Sequence, residues 1–85
     1  MERKKQESII KEFIIPFGKK VMEERLKHKL NIPDLSIKSN VSRSVIYNLE
    51  FGLSDNITLK SIIGLAMALD IKEINISVSL SPLLV

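Results

Sequence analysis

The chain has no cysteine and no tryptophan, and its aromatic content is one tyrosine and three phenylalanines. The lack of thiols excludes a disulfide framework and thiolate-held metals, and it suits a reducing compartment. The single histidine, His28, stands between Lys27 and Lys29 with no second histidine to share a metal, so neither a metal centre nor a cofactor is expected. No glycine-rich phosphate loop occurs, and the five acids before residue 30 follow helix-surface spacing. The chain therefore reads as a binding module and not as an enzyme. No apolar run approaches the roughly 20 residues of a membrane span, so no membrane partner is expected. The charged opening MERKKQES leads into no secretory apolar core, because Lys11, Glu12 and Pro16 interrupt it.

What is present is one small domain's worth of sequence. The 85 residues leave room for a single core, and a chain of this size buries only ~60–65% of its unfolded surface, so it gains from pairing. The net charge of +3 is unevenly placed. Residues 1–30 hold nine Lys or Arg against five acids, residues 31–60 hold three against three, and residues 61–85 hold one against two. A basic excess suggests a polyanionic partner, although a solvated helix and tail in the first third would account for it equally.

Helical signals dominate the middle of the chain. Phe17, Val21 and Leu26 recur at near-helical spacing, with Glu23, Glu24, Lys27 and Lys29 outward. Because proline is comfortable in a first turn and awkward in a helix interior, a first helix is expected from near Pro16 to near Lys29. Residues 1–15 are then a basic arm or an extra short helix. Asn31 is a good N-cap for a second helix over residues 32–39, with Pro33 in its first turn, Asp34 as acidic capping partner and Asn40 able to close it in the left-handed conformation. Only Val41 separates Asn40 from Ser42, the next N-cap candidate. Two short helices joined so tightly cross steeply, as in a helix-turn-helix.

The third helix is expected over residues 43–51, with Val45, Ile46 and Leu49 as its apolar face and Gly52 as its stop. Arg43, Ser44, Tyr47 and Asn48 are left facing elsewhere. Asn56 or Thr58 caps a fourth helix, in which Leu59, Ile62, Ile63, Ala66 and Leu69 form the expected buried stripe and Gly64 costs about 1 kcal/mol relative to alanine. Asp70 ends this helix, and Ile71 folds back onto the core. The period then changes. In KEINISVSLS, Ile74, Ile76, Val78 and Leu80 alternate with Asn75, Ser77, Ser79 and Ser81, which predicts a strand with one buried face. A lone strand needs a partner, and the same strand of a second copy is the economical one.

Taken together, Arg25, Leu35, Val41, Ser42, Ile46, Leu49, Glu50, Gly52, Leu59, Ala66 and Leu69 resemble the Xre/Cro type of phage-repressor DNA-binding domain across residues 17–71. The spacing of the whole set carries the resemblance, since no single piece is specific. It implies an all-α, compact four- to five-helix repressor-like helix-turn-helix domain over residues 16–71, followed by a C-terminal strand and tail over residues 72–85. It also implies a cytoplasmic protein of bacterial or phage origin that binds double-stranded DNA as a homodimer and regulates transcription as a repressor. By position, Ser42, Arg43, Ser44, Tyr47 and Asn48 would read the major groove. Arg25, Asn31, Lys38 and Asn56 would contact phosphate. Arg25 and Glu50 occupy positions where the family commonly has a salt bridge between the first and third helices.

The departures from the family pattern bear on affinity. Ile32, followed by Pro33, stands where the family often has a glutamine that braces the reading helix. The loop after Gly52 reads Leu53, Ser54, Asp55, Asn56, without the usual Lys or Arg, and Asp55 would repel phosphate. Few neutralised phosphates mean a shallow salt dependence. The competing reading is an antitoxin or other protein-interaction module on the same fold, with a toxin or another protein as partner. An apolar patch including Ile32, Leu53 and Tyr47 would favour that reading, and a positive stripe flanking Arg43 would favour DNA.

Overall fold

The computed structural model describes residues 3–75, which form four helices: α1 (Arg3–Lys27), α2 (Ile32–Ser39), α3 (Arg43–Glu50) and α4 (Leu59–Ala68). Among the described residues there is no strand, and no helix is long and apolar enough to cross a membrane. Of the expected strand, Ile76, Val78 and Leu80 lie outside the described residues. Ile74 lies in the irregular segment after α4, half-buried against the core.

The first helix corrects the sequence expectation. It begins at Arg3 instead of near Pro16, and Pro16 sits in its interior. Proline there removes the N–H that would bond the Glu12 carbonyl, at a cost of about 3 kcal/mol. Both Glu12 and Pro16 lie on the exposed side, where solvent can satisfy that carbonyl. On the opposite side Ile9, Ile14, Phe17 and Val21 are buried, and each such side chain contributes about 1.5–3 kcal/mol. Phe13 stacks on Phe17 with ring centroids 5.3 Å apart. Burial thus outweighs the proline penalty, and the helix runs through. Leu26, by contrast, is exposed.

Short-range chemistry sets the remaining boundaries. The Asn31 side chain accepts from the Asp34 N–H at 2.8 Å and starts α2, and Asn40 closes it at φ 58°, ψ 34°. Ser42 accepts from the Val45 N–H at 3.3 Å and starts α3, while Thr58, not Asn56, caps α4 through the Ser61 N–H at 3.1 Å. Three helices end in the same way. Lys29, Gly52 and Asp70 take positive φ, and the next residue's N–H reaches back five residues, as in Leu30 to the Arg25 carbonyl (3.1 Å) and Ile71 to that of Ala66 (2.8 Å). These reversals fold Leu30 and Ile71 back onto the core.

The core gathers Ile14, Phe17 and Val21 from α1, Leu35 from α2, Ile46 and Leu49 from α3, and Ile62, Leu65 and Leu69 from α4 and its cap, with Val41 buried in the turn between α2 and α3. The face of α4 differs from the expected stripe. Leu59 and Ile63 are exposed, and Leu65 and Ala68 are buried in their place. An almost wholly apolar helix offers two candidate faces, and Gly64 decides between them. A Cβ on Gly64 would lie 2.6 Å from the Ser39 carbonyl oxygen, so this side must face α2. Gly18 plays the same part between α1 and α3, where a Cβ would collide with the Leu49 carbonyl.

Alanine at either glycine should therefore destabilise, although helix propensity alone would favour it by about 1 kcal/mol. We expect Gly18→Ala and Gly64→Ala to lower the unfolding free energy by about 1–3 kcal/mol in urea titrations, Gly18→Ala more. A gain in stability for both would mean that the helices do not approach this closely.

Candidate nucleic-acid interface

The helix α3 is divided by function. Ile46 and Leu49 are buried and Val45 is half-buried, while Ser42, Arg43, Ser44, Tyr47 and Asn48 are all exposed. The turn that presents them is fastened by side chains the sequence reading did not single out. The Ser36 hydroxyl donates to the Val41 carbonyl at 2.6 Å, and the Val41 N–H donates to Ser39 Oγ at 3.3 Å. A serine two or five residues before the turn residue Val41 is too common a pattern to signal this.

The orientation of α3 is set at its other end. Arg25 Nε donates to Glu50 Oε2 and Arg25 Nη2 to Glu50 Oε1, both at 2.8 Å, so the fork is bidentate. Arg25 Nη1 donates to the Leu30 carbonyl at 2.9 Å. The Glu50 side chain is 0% exposed and that of Arg25 only 11%. The hydrogen bond from Glu50 raises the Arg25 pKa above its already high ordinary value, against the opposing effect of burial. One guanidinium thereby ties the end of α1, the link to α2 and the end of α3. With three of its five N–H groups committed and little surface exposed, Arg25 is a brace first and has a poor grip for phosphate.

The other candidate phosphate contacts are separated. Asn31 is exposed at the start of α2 with its oxygen already used as a cap, Lys38 is exposed in the last turn of α2, and Asn56 is exposed ahead of α4. Leu53 and Asp55 are also exposed, and the Leu53 and Ser54 N–H groups are both held by the Asn48 carbonyl, at 2.8 and 3.2 Å. Ile32 is half-buried against the core. On α3 itself no protein group among the described residues engages the Arg43 guanidinium or the Asn48 amide, and Ser44 Oγ lies 3.4 Å from Ser42 Oγ.

Phe51 is the residue that sequence reasoning missed. Its ring lies 4.5 Å from that of Tyr47, tilted by 32°. Tyr47 is 48% exposed and Phe51 53%. The i, i+4 spacing of two aromatics on one helix was the available signal. Among the described residues no three His, Cys, Asp or Glu side chains come together as a metal would require. No protein-family model, curated protein or solved structure matches the chain.

The buried ion pair predicts an asymmetry between single and double substitutions. Glu50→Ala leaves a guanidinium largely buried without its partner and should lower stability by about 3 kcal/mol, whereas Arg25→Met with Glu50→Leu should recover most of that loss. Urea unfolding of the three proteins checks it, and equal losses in single and double variants would count against the pair as a brace.

Proposed function

We propose that the chain is a sequence-specific DNA-binding regulator, a repressor, that presents α3 to the major groove as a homodimer. The observation that carries this reading is the exposed side of α3. Among the described residues Arg43, Ser44, Tyr47 and Asn48 take no part in the core, yet the helix bearing them is anchored by two buried apolar residues and by the bidentate Arg25–Glu50 fork. A merely solvated helix would not require such fixing. Arg43 can give two parallel hydrogen bonds to guanine O6 and N7, worth about 1–3 kcal/mol of discrimination. Ser42 caps the helix with its backbone close to a phosphate. Ser44 is short and accepts either base, Tyr47 offers ring surface to a thymine methyl, and Asn48 stands beside them.

A second copy has a face to meet. On α4 the exposed Leu59 (68%), Ile63 (47%) and Met67 (77%) follow one another at i, i+4 and i+8, a stripe that an identical helix running antiparallel would cover. Lys60 near one end and Asp70 past the other would then face each other across the two-fold axis. The alternating Ile76, Val78 and Leu80 would add a strand for pairing across the same dimer. Half-sites would be spaced about 34 Å apart as an imperfect palindrome.

The competing reading is a protein-binding module such as an antitoxin. It draws support from the exposed Tyr47, Phe51 and Leu53, an apolar group at the end of α3. The DNA reading is favoured because Arg43 lies on the same stripe as the two rings.

Selection of bound sequences from a random DNA pool at two salt concentrations tests the proposal. The expected result is a palindromic site with a shallow salt dependence, and Arg43→Ala should relax one base per half-site without unfolding the chain. Failure to enrich any sequence would sink the reading. Separately, Ile63→Asp with Met67→Asp should give monomers in light scattering, and a persistent dimer would move the interface away from α4.

A further inference from the structure

The residues Arg43 and Tyr47 on α3 and Phe51 at its C-cap stand four apart, so each lies one turn and about 6 Å beyond the last along a single stripe. Phe51 is held to Tyr47 twice. Its N–H donates to the Tyr47 carbonyl at 3.0 Å, and the two rings pack at 4.5 Å. Both rings remain about half exposed, so the pair is not a fragment of the core. Phe51 is neither in the buried core nor among the half-buried residues packed against it. Its ring contact is made with the reading face.

We infer that Phe51 is a positioning residue that presets the Tyr47 ring against a thymine C5-methyl next to the guanine taken by Arg43. This rests on the DNA-binding reading above and specifies what the site selects. In the major groove an apolar ring surface has one partner that distinguishes a base pair, the thymine methyl, while hydrogen-bond donors and acceptors mark the rest. A tyrosine free to rotate would lose rotamer freedom on meeting that methyl, and one already stacked on a neighbour has less to lose. The N-terminal half of a reading helix goes deepest into the groove. Tyr47 stands one turn behind Arg43, at the start of the second half of α3, so its long side chain is needed to reach a base edge, while Phe51, another 6 Å or so toward the exit, acts through it. Against a base rise of about 3.4 Å along each strand, the spacing of Arg43 and Tyr47 puts the thymine one or two base pairs from the guanine.

The experiment uses the full chain and the sequence it selects. Each thymine of the selected site is replaced in turn by deoxyuridine, which removes only the methyl, and binding is measured for the natural chain and for Tyr47→Ala, Phe51→Ala and Phe51→Leu. One methyl contact corresponds to about a fourfold loss of affinity per half-site. The expected result is that loss at a single thymine one or two base pairs from the guanine that Arg43→Ala relaxes. It should vanish in Tyr47→Ala and shrink toward unity in both Phe51 variants, with the guanine preference kept. Phe51→Leu guards against a fold defect, since it preserves an apolar side chain at the cap. Selection of a sequence without sensitivity to any uracil, or full sensitivity kept in both Phe51 variants, overturns this inference alone. Selection of no sequence overturns the DNA reading and this inference together.

Discussion

The arrangement of the helices depends on one buried ion pair. Glu50 is the last residue of α3 and Arg25 lies in the last turn of α1, so their bidentate contact fixes the angle between the longest helix and the one that carries Arg43, Ser44, Tyr47 and Asn48. Leu30 is drawn into the same fork through its carbonyl, which sets where the chain leaves α1 for α2. A buried pair of this kind adds little net stability, because both charges lose water. What it contributes is geometry. The nearby approach of the Leu49 carbonyl to Gly18 depends on the same geometry, since it requires the α1 and α3 backbones to meet at a set distance.

Much of the fold was legible in the sequence, and the legible parts are local. Asn31, Ser42 and Thr58 announce helix starts because a side-chain oxygen two or three residues from a free N–H is a contact the chain makes with itself. Asn40 and Gly52 announce stops because few residues tolerate the left-handed backbone. Lys29 and Asp70 adopt it as well; both stand where helix ends were expected, but only Asp70 is of a residue type that favours this backbone. The misreadings concern distance along the chain. Pro16 looked like a beginning because its penalty is local, whereas the burial of Ile14 and Phe17 that outweighs it is made against residues far along the chain, in α2, α3 and α4. The exposed side of α4 was misplaced because Leu59, Ile62, Ile63, Leu65 and Ala66 permit more than one apolar face, and the choice is made by a carbonyl on α2.

The candidate site divides in the same way. The exposed group on α3 could be found by removing every residue with an internal use, since caps and core positions declare themselves. Arg25 could be placed but its commitments could not be counted, because its third hydrogen bond goes to a backbone carbonyl that no spacing rule points to. The pairing of Phe51 with Tyr47 went unnoticed because a phenylalanine at a helix end is ordinarily taken for an edge of the core. Its exposure is what changes its meaning.

The close approach at Gly18 has a consequence for how a target would be accommodated. With the Leu49 carbonyl seated against the α1 backbone, α3 has no room to roll about its own axis or slide toward α1. If α3 reads DNA, a helix so confined would meet imperfect sites with an unyielding template. On the DNA-binding reading, accommodation then falls to the duplex, whose pyrimidine–purine steps bend and unstack most readily. Discrimination would extend to base pairs that no side chain touches, expressed as the stiffness of the sequence between the half-sites.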